Sequence, residues 1–187
     1  MKKIVFALMG MMMISSTSVF AQDINYPNKG YRGFAEIGLG GATGENDWSF
    51  ATLSINTIHG FQIIPQIFVG AGIGEHNYMT WSEGEDGISY SDFMTVVPLF
   101  LDARCDVLPQ KVSPFVDMRL GYGVGSMNGL YLSPSIGIRI NHINISLSYI
   151  MQGYEVEYNS WNKGSYTESA NMNSFMARIA FDWGARH

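Results

Sequence analysis

The chain has 187 residues, one domain's worth, with 11 basic against 16 acidic side chains and a net charge of −5. That balance excludes nucleic acid as a partner and polybasic attachment to anionic lipid. A single cysteine, Cys105, excludes an internal disulfide, and 14% charged residues is low for a water-soluble domain, where about a quarter is usual.

The first residues read as an export signal. Lys2 and Lys3 precede an apolar run from Ile4 to Ile14, then Ser15-Ser16-Thr17-Ser18 and Val19-Phe20-Ala21. The run is shorter than the 18 to 20 or so residues that spanning requires. Small or compact residues before a polar Gln22 place the cut between Ala21 and Gln22. Residues 1–21 are thus expected to be removed, leaving 22–187 as one domain without a lipid-bearing cysteine at its start. Removing Lys2 and Lys3 from the 11 basic residues leaves nine against 16 acidic ones, a net charge near −7.

No apolar run of spanning length follows, so a membrane role for the remainder demands strands in a closed barrel. The chain supplies them. Gly33–Gly41, Ser49–Phe61, Gln66–Gly74 and Phe93–Cys105 alternate weakly with period two. Pro114–Val124 alternates strongly. Leu130–Asn141 does so over a dozen residues, with Leu130, Leu132, Ile136, Ile138 and Ile140 on one face and Tyr131, Ser133, Ser135 and Arg139 on the other. Ile143–Gln152 and Ser174–Trp183 repeat the pattern. Eight segments, an even number, predict an all-β, eight-stranded antiparallel up-and-down barrel. The odd connections (Ala42–Trp48, Thr80–Ser91, Gly125–Gly129, Tyr158–Thr167) read as mostly long and polar, the even ones as tight turns, which puts the odd set outside the cell.

A soluble exported barrel of the lipocalin kind would alternate in the same way. The polar face, however, holds small residues and a matched set of charges: Glu36, Asp102, Asp117 and Asp182 against Arg104, Arg119, Arg139 and Arg178. Lys29, Lys111 and Lys163 fall in turns or loops. Buried charge is costly unless paired, so equal numbers on one face predict an ion-pair network inside the lumen, with the apolar face towards lipid.

Thr57-Ile58-His59-Gly60-Phe61-Gln62, Phe68-Val69-Gly70-Ala71-Gly72, Pro98-Leu99-Phe100-Leu101-Asp102-Ala103-Arg104, Ser113-Pro114-Phe115 and Arg119-Leu120-Gly121-Tyr122 resemble stretches of small outer-membrane β-barrel proteins of Gram-negative bacteria. More broadly the chain resembles the eight-stranded OmpA/OmpX-type barrels of the porin-like superfamily. The resemblance implies that fold and the cell outer membrane as location, whereas the roles of such barrels vary. Two departures stand out. The chain ends Trp183-Gly184-Ala185-Arg186-His187 instead of on an aromatic residue, and Pro98 and Pro134 fall inside predicted strands, where each removes a ladder donor and alternation leaves the register open, with or without a bulge.

Catalytic chemistry is thin. His59, His76, His142 and His187 show no metal-ligand spacing, and no cofactor is expected. His76 beside Glu75 is the one local pair that a lipid-modifying barrel enzyme would use, and the plainer reading is a solvated loop residue. The glycines from Gly70 to Gly74 precede no helix and so form no phosphate loop. At the outer end fall Glu45, Asp47, Glu75, Glu83, Glu85, Asp86, Asp92, Glu155, Glu157 and Glu168, with Tyr78, Trp81, Tyr90, Tyr154, Tyr158, Trp161 and Tyr166 among them. This is a polar rim with an aromatic girdle, or a surface for a divalent cation or an extracellular partner. The expectation is a non-enzymatic outer-membrane barrel with a structural or surface-interaction role. A narrow porin-like channel and a soluble periplasmic barrel binding an apolar ligand are the alternatives.

Overall fold

A computed structural model describes residues 29–43, 49–83, 89–160 and 164–184; the segment expected to be an export signal, with Ala21 and Gln22, lies outside them. Period-two alternation can bury only one face of each strand, and here the buried face lines a closed barrel. The strands are β1 Gly30–Thr43, β2 Ser49–Ile64, β3 Ile67–Glu83, β4 Ser89–Asp106, β5 Val112–Gly125, β6 Gly129–Ile140, β7 Ile143–Ser160 and β8 Gly164–Gly184. Each pairs antiparallel with its sequence neighbours, and β8 closes on β1. The path of paired residues Gly30, Gln62, Phe68, Arg104, Asp117, Ser135, Ser148 and Met176 returns to β1 at Gly40, ten residues beyond its start. That stagger tilts the strands by about 40°, and eight strands leave an interior just wide enough for side chains to fill.

The even connections are tight. Asn141-His142 joins β6 to β7, with Asn141 at φ 55°, a left-handed conformation that Asn tolerates better than most residues. The Gln62 amide donates to the Ile64 and Pro65 carbonyls at 3.0 and 3.2 Å across the β2–β3 turn. The odd connections differ from expectation. β3 and β4 remain paired out to Glu83–Ser89, and β7 and β8 out to Ser160–Gly164, so those two connections are short. Alternation fades there because neither face of a projecting ribbon has a barrel wall to match, while the backbone ladder continues.

The structure also settles the register at the prolines. Pro98 pairs with Gly123 on β5, while the β3–β4 ladder skips from Ile73–Leu99 to His76–Val96 in unchanged register. Pro134 pairs with Met118 on β5, and the β6–β7 ladder skips from Leu132–Met151 to Ser135–Ser148. Each proline, having no N–H, opens one ladder locally and needs no bulge. Among the described residues the register shifts at one place, between Gln62 and Ile64.

The outward face is apolar through its middle: Ile37, Leu39, Ile55, Leu101, Leu120, Ile136, Leu147 and Ile179 are each more than half exposed. Tyr31, Phe61 and Phe181 stand outward near the tight turns, and Tyr122 and Phe175 near the opposite end. Two aromatic levels flanking an apolar band are what a bilayer-spanning barrel presents.

Candidate functional site: the closed barrel interior

The inward positions build a column of alternating polar and apolar layers. At the tight-turn end, Arg32 of β1 donates to Asp182 of β8 and lies 3.4 Å from Asp106 of β4. Asp106 also accepts from Arg139 of β6 and, at 3.1 Å, from Arg104 Nε. Arg104 donates onward to Asn144 at 2.6 Å, Arg32 to Gln62 at 3.0 Å and Arg139 to the Gln110 carbonyl at 2.7 Å. All five charged side chains are at most 5% exposed. The Arg104 guanidinium lies 3.5 Å from the Phe115 ring centroid, and that of Arg32 lies 4.6 Å from Phe34. Stacking on a ring face is open to the planar, weakly hydrated guanidinium and would be lost with lysine.

Above this layer sits a second one. Arg119 of β5 reaches across the lumen to Glu36 of β1 as a two-pronged pair, 2.8 Å at each oxygen, and Asn56 donates to the same carboxylate at 2.9 Å. Asp102 and Asp117 flank Arg119, each 3.8 Å away. Ser135 donates to Asp117. Arg178 Nε lies 3.6 Å from Glu36, and its Nη2 donates to Ser133 at 2.8 Å. Three arginines with two aspartates below, and two arginines with three carboxylates above, leave the two layers oppositely unbalanced and the column neutral.

At the end away from the tight turns apolar side chains dominate, with Thr52, Ser148, Gln152 and Ser174 also buried there. Phe100, Tyr131, Ile150 and Met176 pack above the second layer. Ala42, Tyr78, Val96, Met127 and Met172 close the top. Met127 belongs to the short β5–β6 connection and is 4% exposed, so that loop folds inward as a stopper. Glycines make room where rings cross the wall: a Cβ on Gly137 would come within 2.5 Å of the Phe115 ring, and one on Gly72 within 2.6 Å of Phe100.

Each of the eight charged residues singled out in the sequence faces inward. Glu36, Asp102, Asp117, Arg119 and Arg178 gather in the upper layer; Arg104, Arg139 and Asp182 gather in the lower. Arg32 and Asp106 were missed. They share the parity of Phe34 and Arg104 but lie beyond the segment ends read from alternation, and extending each strand by one inward position finds them.

Other expectations need correcting. His76 is no solvated loop residue: it lies on β3, 1% exposed, 3.2 Å from the Asn56 amide oxygen, its ring edge-on to Tyr131. Tyr78 belongs to the interior, not to the girdle. Glu75 stands on the outward face of β3, where Asn77 donates to it at 2.9 Å. Glu83, Asp92, Glu155, Glu157 and Glu168 lie in strands instead of loops, while Glu45, Asp47, Glu85 and Asp86 fall outside the described residues. Cys105 is exposed on the outward face near the tight-turn end of β4. Among the described residues no group of three His, Cys, Asp or Glu side chains could hold a metal ion.

No protein-family model matches the chain, and no curated protein does either. Among solved structures it is similar to the crystal structure of Neisserial surface protein A, at 12% identity and a TM-score of 0.48, over 81% of this chain and 96% of that one.

Proposed function

We propose that this protein is an integral barrel of the cell outer membrane, exported by a cleaved signal, with a structural or surface-interaction role and no steady ion pathway. One observation carries the reading: the barrel is inside out relative to a soluble protein. Its outward band bares isoleucine, leucine, valine and phenylalanine, while five arginines and five carboxylates are buried within. A water-filled exterior would make that band a very large exposed apolar patch. A bilayer makes it the favourable surface. The same distribution argues against a soluble lipocalin-like carrier, whose apolar ligand would need an apolar lumen.

The ion-pair column and the Met127 stopper argue against the narrow channel. Purified protein in planar bilayers is expected to show no steady conductance, and long-lived, reproducible channels from the monomer would overturn this. Heat-dependent gel mobility and fractionation into the outer membrane test the location; recovery in the soluble periplasmic fraction would sink it. The polar Gln22 after Val19-Phe20-Ala21 gives a further expected result. Intact-mass measurement of the membrane-bound protein should find Gln22 at the N-terminus, and a chain retaining residues 2–20 would refute the cleavage.

A further inference from the structure

Among the described residues, His59 is the one histidine on the outward face of a strand; His76 points inward and His142 lies in a turn. His59 stands on β2 one outward position beyond Phe61, about 5 Å deeper in the apolar band than that ring. Titratable side chains at membrane depth are costly and seldom without a role.

The neighbours hold its ring in place. Gly33 of β1 pairs with His59 on one flank and with Trp183 on the other. A Cβ on Gly33 would come within 2.5 Å of the Trp183 ring, so the indole lies across the glycine and meets the imidazole edge-on, centroids 5.9 Å apart. The Tyr31 hydroxyl sits 2.5 Å from His59 Nδ1 and the Thr57 hydroxyl 3.0 Å from Nε2.

A count of hydrogens shows what this relay lacks. A neutral imidazole carries one N–H, and each hydroxyl one O–H. Three hydrogens serve two hydrogen bonds, so one is left over in either tautomer. When Nε2–H donates to Thr57, the Thr57 O–H is the surplus donor; when Nδ1–H donates to Tyr31, the Tyr31 O–H is. The outward side chains next to His59 and Thr57 offer it no acceptor: Ala35 on β1, Ile55 and Phe61 on β2, Ala71 and Ile73 on β3. The backbone beside them is taken up in unbroken ladders. Hydrocarbon holds no water to take the hydrogen, and an unmet donor there is expensive. What a bilayer supplies just below its phosphates is the ester carbonyl of a phospholipid, an acceptor with no hydrogen of its own.

We infer that His59, with Tyr31 and Thr57, forms a site on the lipid-facing wall that binds the acyl-ester carbonyl of one phospholipid in the leaflet on the tight-turn side. This rests on the reading of the chain as a membrane barrel.

The test folds the protein in micelles doped with equal amounts of diester phosphatidylcholine and its diether analogue, which share a headgroup without hydrogen-bond donors. Native mass spectrometry then counts the lipid retained. The parent should keep the diester over the diether by about fivefold. Thr57→Val alone should keep that preference, because the Nε2–H is then the surplus donor and points where the hydroxyl was. The triple variant Tyr31→Phe, Thr57→Val and His59→Phe keeps the shapes, removes every donor and should bind the two lipids equally. Equal retention by the parent would overturn the site, and so would a preference that survives the triple variant. A second readout needs no folded variant: exchanging diester for diether around the nitrogen-15-labelled parent should move the His59 ring resonances, and unmoved resonances would refute the contact. Fractionation of the parent separates the two readings, since recovery in the soluble periplasm would indict the membrane barrel, whereas equal retention by a protein found in the outer membrane would indict the ester site alone.

Discussion

Alanine in place of Arg119 is expected to lower the unfolding free energy of the barrel by about 3–5 kcal/mol. Arg119 is the hub of the upper polar layer: Glu36, Asp102 and Asp117 converge on one guanidinium that is 2% exposed. Truncation would leave three carboxylates around a gap in a wall-enclosed space, with Arg178 the remaining cation beside Glu36. Removing Glu36 as well should recover part of the loss, because one of the stranded charges goes with it. Lys111→Ala, at an exposed turn residue, should stay within about 0.5 kcal/mol. Urea titration of the refolded protein, followed by gel mobility, measures all three. If Arg119→Ala costs no more than Lys111→Ala, water must screen the column, and the closed-lumen reading falls with it.

Arginine in place of Ile179 should cost about 2–4 kcal/mol in lipid vesicles. Ile179 is 54% exposed on β8, in the middle of the outward band, between Ile37 on β1 and Ile145 on β7. In a water-soluble protein a half-exposed isoleucine could become arginine within about 0.5 kcal/mol. The sign of the experiment therefore reports the solvent on that face. A loss of several kcal/mol means hydrocarbon, and a change near zero would remove the membrane from the proposal. Deep sites are the informative ones, since an arginine near the tight turns can reach the interface.

The amino-acid order alone determined the number of strands, their antiparallel sequence and which face of each points inward. Period two leaves no freedom in this respect, since a slip by one residue would turn Ile136, Ile138, Ile145 and Leu147 inward and Ser135, Arg139 and Ser148 outward. What it could not determine was where each ladder stops. Alternation of hydropathy is enforced only where the outward face meets lipid, so it fades in β3 beyond Gly74, where Glu75 and Asn77 stand outward and His76 and Tyr78 inward, and in β7 beyond Gln152, although pairing continues. Arg32, Asp106, His76 and Tyr78 were misplaced or missed for that reason. The partners of the charges were equally hidden. Glu36 and Arg119 are 83 residues apart in the chain and meet because β8 closes on β1, at a stagger that brings the first and fifth strands face to face across the lumen. Met127 gives no sign in the sequence of being a stopper; the turn of Gly125, at φ 131°, and the narrow mouth beneath it decide that. Composition and period fix a wall. Closure of that wall, which sets strand stagger and lumen width together, fixes what fills it.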